Sequence, residues 1–143
     1  MTTTAPSVLF VCVRNGGKSQ MAAGLMRQLV AAHPDHPVRV GSAGTRAGTS
    51  LNAQAVESLR EVGVDIGDQR TRQLTDELVQ DADLVVVLGD EARVEPTGGT
   101  AVEVWETDEP STRGIEGEER MRLVRDDIAA RVEQLHRRLT GRG

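Results

Sequence analysis

Apolar residues along the chain fall into two kinds of run. Residues 7–13 (SVLFVCV) and 84–88 (LVVVL) are unbroken and rich in β-branched side chains, the pattern of strands covered on both faces. From Glu118 onward, Met121, Val124, Ile128, Val132, Leu135 and Leu139 recur every three or four residues, which predicts one long amphipathic helix. Between these, residues 20–32 carry Ala22, Ala23, Leu25, Met26, Leu29 and Val30 at helical spacing, with Ser19 as the expected N-cap and Pro34 as the stop. Residues 37–42 read as a short strand, 43–50 as a Gly/Thr-rich loop, and 51–62 as a helix stopped at Gly63. Residues 64–71 are irregular, and Thr75 caps a short helix reaching Gln80. A loop over 89–99 precedes a fourth strand marked by Val102, Val104 and Trp105. Residues 106–117 form a polar, acidic connection, and 141–143 a frayed tail.

Buried strands alternating with helices predict an α/β fold: a three-layer open sheet of about four parallel strands with helices on both faces. Residues 1–143 are expected to form a single domain, without internal repeats. In such sheets ligands bind beyond the carboxyl ends of the strands. Attention therefore falls on the loop after the first strand.

Composition narrows the choice of partner. Phe10 and Trp105 are the only aromatic residues apart from histidine, so stacking on bases or sugars is largely excluded. Twenty-two acidic against 17 basic residues give a net charge of −5, which argues against a nucleic-acid partner and requires any anion site to be local. No apolar run approaches the roughly 20 residues of a bilayer span, and residues 1–6 lack the features of a secretory signal. A cytoplasmic protein with no membrane contact is expected. Cys12 is the only cysteine, which rules out an internal disulfide and a Cys-rich zinc site; no metal is expected. His33, His36 and His136 are scattered and read as solvated side chains. Arg70 and Arg72, near a loop, could shape a substrate entrance or equally be solvated or cap a helix.

The chemistry concentrates in residues 12–19 (CVRNGGKS). Set between a strand and a helix N-terminus, Gly16 and Gly17 let successive backbone N–H groups face one concavity. The helix end adds further unpaired N–H groups and a positive dipole, a combination that binds a tetrahedral oxyanion. Val13, Arg14, Asn15, Gly16, Gly17, Lys18 and Ser19 are the expected oxyanion-binding residues. All other basic residues being arginine, Lys18 is the sole lysine, and it falls at this loop. Cys12 at the rim would have its thiolate stabilised by the helix end and by Lys18, making it a nucleophile. The alternative for Cys12 is an inert buried thiol, and for the two glycines an ordinary turn. Gly-Lys-Ser also suggests a nucleotide-binding P-loop, with Asp90 after an apolar strand for magnesium. The position six before Lys18 is Cys12, however, where that motif needs glycine.

Cys12, five intervening residues, a basic residue and Ser19, with Asn15 inside the loop, resemble the low-molecular-weight protein tyrosine phosphatase family and its arsenate reductase branch. The likeness covers most of the chain. It includes VLFVCVRNGGKSQMAAGL, Ser42-Ala43-Gly44-Thr45, Ala82-Asp83-Leu84-Val85, and WETDEP at 105–110 in the place of the acid loop. The continuation Ser19-Gln20-Met21-Ala22 looks more like the reductases. The resemblance implies a low-molecular-weight phosphatase-like fold, Cys12 as nucleophile, Asn15 as the residue that shapes the loop, and a Ser19 hydroxyl donating to the thiolate. Glu109 or Asp108 would be the general acid: the family has Asp directly before the proline, and here Glu109 precedes Pro110. Catalytic candidates are thus Cys12, Lys18, Ser19, Asp108 and Glu109.

Three departures from the family pattern matter. The basic residue of the loop is normally arginine, whose planar fork grips two oxygens, and Lys18 offers a point charge. The acid loop lacks aromatic side chains to sandwich a phosphotyrosine ring. The two further cysteines of thioredoxin-coupled arsenate reductases are absent, with Gly89 where one of them would stand. A single thiol cannot complete a two-electron reduction alone, so a second thiol must come from solution. The chain is most similar to the mycothiol-dependent arsenate reductases of actinobacteria, whose loop is likewise Asn-Gly-Gly-Lys-Ser. The resemblance implies an arsenate-mycothiol transferase with no bound cofactor. Mycothiol would be its co-substrate, arsenate (or phosphate) its oxyanion, and a glutaredoxin-like mycoredoxin its partner. The alternatives are a phosphatase of phosphotyrosine proteins or small phosphoesters, an oxyanion-binding module without turnover, and a nucleotide binder.

Overall fold

The computed structural model describes residues 5–96 and 98–142; the export reading of residues 1–4 and the fraying of Gly143 lie outside them. The elements are β1 (Ser7–Cys12), α1 (Lys18–Ala32), β2 (Arg39–Gly44), α2 (Ala53–Arg60), α3 (Asp76–Asp81), β3 (Leu84–Leu88), β4 (Ala101–Trp105), a 3-10 turn (Pro110–Arg113) and α4 (Gly117–Thr140). All four strands are parallel, in the order β2-β1-β3-β4, so the α/β architecture is the expected one.

The unbroken apolar runs are explained by burial on both faces. Val8 and Phe10 of β1 pack with Met21 and Met26 of α1, Leu59 of α2 and Ile128 of α4. Leu9 and Val11 point the other way, to Val85 and Val87 of β3 and Val79 of α3. One layer therefore holds three helices and the other a single short one. Trp105 belongs to the first layer: its ring lies 5.9 Å from that of Phe10 and is buried, which makes it core and not a platform for a substrate ring.

Three local details depart from the sequence reading. β2 runs two residues further, to Gly44, because its pairing with β1 continues to Cys12. Ser19 is not the cap of α1; Gly17 holds that position without a side-chain cap, while the Ser19 hydroxyl turns to Cys12. The acidic connection contains the 3-10 turn, which begins at Pro110 with its fixed φ and closes with Ile115 N–H donating to the Pro110 carbonyl. Asn52 and Thr75 cap α2 and α3 by accepting from Ala55 N and Leu78 N.

The histidines are gathered, not scattered. Packing of α4 across the end of α1 buries His136 completely, with the rings of His33 and His36 at 5.5 and 6.4 Å. His136 Nε2 meets the His36 carbonyl at 3.0 Å, and Nδ1 accepts from Arg142 Nε at 3.1 Å. Those partners demand a neutral ring with its proton on Nε2. Burial first, then Arg142 and His33, hold the His136 pKa below the ordinary 6.5, against the opposing pull of the His36 carbonyl and Glu133. Above the ordinary value the ring is neutral in both states. As pH falls through it the unfolded chain takes up a proton that the native chain resists, so stability falls. The expected outcome is a Tm that drops between about pH 7 and pH 5.5, with a shallower slope in His136→Gln, measured by thermal melts across that range.

Candidate active site

Cys12 closes β1, the strand with β2 on one side and β3 on the other, where the chain's direction of travel across the sheet reverses. A crevice opens at such a point. The loop leaving it is held by its carbonyls. Those of Cys12, Val13, Arg14 and Gly16 accept from the N–H groups of Thr45, Arg46, Gly48 and Asn52 at 3.0, 2.8, 2.9 and 2.7 Å. A planar trans peptide carries its N–H opposite its C=O, so fixing four carbonyls outward turns the N–H groups of Val13, Arg14, Asn15 and Gly17 inward. The Asn15 N–H indeed points at Cys12 Sγ, 3.3 Å away. Two glycines allow so close an approach: a Cβ on Gly44 would lie 2.5 Å from the Val13 oxygen, and one on Gly16 2.9 Å from the Ser50 oxygen.

Asn15 is the hub of the loop. It is fully buried and has φ 59°, the one positive φ outside glycine among the described residues. Its Nδ2 donates to Ser19 Oγ at 2.8 Å, while its Oδ1 accepts from Gln20 Nε2 at 3.2 Å and from the Arg72 N–H at 2.9 Å. Ser19 Oγ lies 2.9 Å from Cys12 Sγ. Because Ser19 Oγ already accepts from Asn15, its own proton is free to point at the sulfur and stabilise a thiolate. The uncapped N-terminus of α1 adds its N–H groups and dipole on the same side.

Lys18 spans the mouth of the site. Its ammonium donates to Thr107 Oγ1 at 2.8 Å and forms an ion pair with Glu109. Cys12, Val13, Lys18, Gly89, Glu109 and Arg120 are among the residues lining a cleft of about 250 Å³. Of the two carboxylates considered as acid, Glu109 thus shares the cleft with Cys12. Asp108 does not line that cleft: its carboxylate is gripped by Arg113 at 2.8 and 3.2 Å, and this hydrogen-bonded pairing lowers its pKa. The acid loop is braced from α4, where Asp127 accepts from the Asp108 N–H and Arg131 donates to the Glu106 carbonyl, each at 2.8 Å.

Other sequence candidates fall elsewhere. Arg14 is exposed and faces a neighbouring depression with Gly16 and Gly17. Arg70 and Arg72 sit behind the loop, not at a substrate entrance; their backbone C=O and N–H hold Gln20 and Asn15. Sequence reading missed Thr107, the outward role of residues 45–52 and the positioning role of Gln20. Only the Asn-Gly-Gly turn and the small residues of Ser42-Ala43-Gly44 hint at such close packing.

Residues 7–142 match the family described as low molecular weight phosphotyrosine protein phosphatase. The chain belongs to that family. Its relatives place it in the arsenate reductase branch: it is 36% identical over 132 residues to the arsenate reductase of Halalkalibacterium halodurans, covering 88% of this chain and 91% of the relative. A solved arsenate reductase in the phosphate binding state superposes with a TM-score of 0.78 at 30% identity, over 94% of this chain and 98% of that one. The thioredoxin-dependent arsenate reductase of Corynebacterium glutamicum gives 0.74 at 29% identity over 97% of this chain, which spans 64% of that protein.

In this member of the family, Asn15 carries the loop's conformation. Asn15→Ala leaves the Arg72 N–H without its acceptor and puts a Cβ residue without a polar side chain at φ 59°, so a loss of about 2 to 4 kcal/mol is expected in urea unfolding. Asn15→Gly is expected to lose less, because glycine accepts that φ.

Proposed function

We propose that the chain is an arsenate reductase of the mycothiol-transferase type. Arsenate sits against the inward N–H groups of the 12–19 loop and the N-terminus of α1, its charge met there and by Lys18. Glu109, which lines the cleft with Cys12, protonates a departing oxygen. A thiol replaces that oxygen on arsenic, releasing water and leaving arsenic at the pentavalent level. Attack by a second thiol on the sulfur of that adduct then forms a disulfide and delivers the two electrons that yield arsenite. A glutaredoxin-like mycoredoxin supplies this second thiol.

The observation that carries the reading is a cleft with one nucleophile and an open wall. The chain has one cysteine, and Gly89, lining the same cleft as Cys12, has free space where a side chain would project. A small external thiol has room where thioredoxin-coupled relatives are expected to carry their own. Family membership and the arsenate reductase names of the relatives support the oxyanion. A second reading, hydrolysis of small phosphoesters, is favoured by Glu109 lining the same cleft as Cys12, since the same acid could protonate an alkoxide. Two features weigh against it. Lys18 replaces the bidentate arginine, and no aromatic residue lines the cleft among the described residues.

The test is NADPH oxidation with arsenate, mycothiol and mycoredoxin, run beside an aryl phosphate assay. Arsenate-dependent turnover that requires mycothiol and is lost in Cys12→Ser is expected; turnover surviving that substitution would falsify the thiol mechanism. Lys18→Arg is expected to raise aryl phosphate hydrolysis roughly ten- to a hundredfold, the worth of one charge-assisted hydrogen bond regained in the transition state. That gain is read as kcat/KM against the parent chain.

A further inference from the structure

The 69–72 segment passes behind the nucleophile loop, and its far side is a recess lined by arginines. Arg27 of α1, Arg70 and Arg72 line a pocket of about 370 Å³ together with Gly41, Ser42 and Thr71. Three guanidinium-bearing residues around one recess stand out in a chain of net charge −5. Arg72 is laid against β2: its Nε donates to the Ser42 carbonyl at 3.2 Å, and a Cβ on Gly41 would lie 2.9 Å from Nη2. The absence of a side chain at Gly41 is what lets the guanidinium lie there. Arg27 Nη1 is buried and has no hydrogen-bond partner among the described residues. A buried guanidinium N–H without an acceptor is costly, and groups of this kind are normally satisfied. Burial and repulsion from Arg72 both act against the charge on Arg27, and Asp68 offsets them in part.

We propose that this recess is a second oxyanion site, separate from the nucleophile loop, which takes a free tetrahedral dianion such as sulfate or phosphate. Such an ion lies among the arginine side chains that line the recess, accepts from the exposed Arg70 and Arg72 guanidinium groups and offsets the repulsion between Arg27 and Arg72. Its occupant also bears on the nucleophile. The main chain of the lining residues is the support of the loop: the Arg72 N–H holds Asn15 Oδ1, the Arg70 carbonyl accepts from Gln20, and Gly44 N–H donates to the Arg72 carbonyl at 2.8 Å. An ion bridging Arg27 and Arg72 ties the 70–72 segment to α1, and so steadies the peptide from which Asn15 is held. The site depends on no reading of the reaction at Cys12.

The test uses the full chain and inorganic sulfate, followed by amide and arginine Nε resonances in NMR titrations. Two groups of shifts with separate midpoints are expected: one at Gly16 and Gly17, the other at Gly41, Thr71 and the Nε of Arg27 and Arg72. Arg27→Gln should abolish the second group and keep the first; Arg72→Gln, which retains the backbone N–H, should do the same. At sulfate ten times the second midpoint, hydrogen exchange at the Arg72 amide should slow about tenfold in the parent chain and stay unchanged in Arg27→Gln. Shifts confined to Gly16 and Gly17, or a second group that persists in both variants, overturn the proposal. So does a response to glycerol 2-phosphate with none to sulfate or phosphate, because the occupant would then be a phosphomonoester and not the free ion.

Discussion

Four outward-facing carbonyls hold the 12–19 loop in shape. Left to itself, a five-residue turn between a strand and a helix would point its N–H and C=O groups in mixed directions, and no net field would result. Here residues 45–52 run alongside as a second rail and claim the carbonyls of Cys12, Val13, Arg14 and Gly16. Planar peptides convert that outward anchoring into inward amides. The rail can approach only because Gly44 and Gly16 carry no side chains to block it. A positive concavity thus arises in an acidic protein without a cluster of basic residues.

Asn15 transmits this order to the sulfur. Its left-handed backbone turns the loop, its carbonyl oxygen fastens the loop to the 69–72 segment, and its amide nitrogen orients Ser19 toward Cys12. The hub is buried, so each of these bonds works in a medium that screens charge weakly. The same 69–72 segment fronts the loop with its main chain and presents guanidinium groups behind it. The proposed rear site and the nucleophile would therefore share one structural support.

The mouth of the cleft is governed by pairing among charged side chains. Lys18 reaches across to Thr107 and Glu109, so the single lysine links the 12–19 loop to the 105–110 loop. Asp108 and Glu109 are adjacent in sequence yet differ in environment: one is locked to Arg113, the other pairs with Lys18 and lines the cleft of Cys12. A point charge with three rotatable donors can serve Thr107, Glu109 and an oxyanion, whereas a rigid fork would favour two oxygens of one group. Under the proposed reading, that trade suits capture of an oxyanion and its handover to a thiol better than the tight grip that phosphoester hydrolysis requires.

Periodicity alone carried much of the architecture. Strands buried on both faces cannot alternate in polarity, and a helix with one apolar stripe cannot hide it, so β1, β3 and α4 were legible from residues 7–13, 84–88 and 118–139. The loop was legible too, because cysteine, glycines, lysine and serine lie within eight consecutive positions at the junction of β1 and α1. Contacts between residues distant in sequence were not. Which acid faces Cys12, what Lys18 bridges, where Arg70 and Arg72 lie, and why the three histidines meet all depend on how α4 and the 45–52 and 69–72 segments pack. The sequence by itself determined local elements and the gathering of cysteine, glycines, lysine and serine in one loop, since these follow from neighbours along the chain. Only the tertiary structure decided the directions of carbonyls, carboxylates and guanidinium groups, because those are set by partners that the chain brings back from far away.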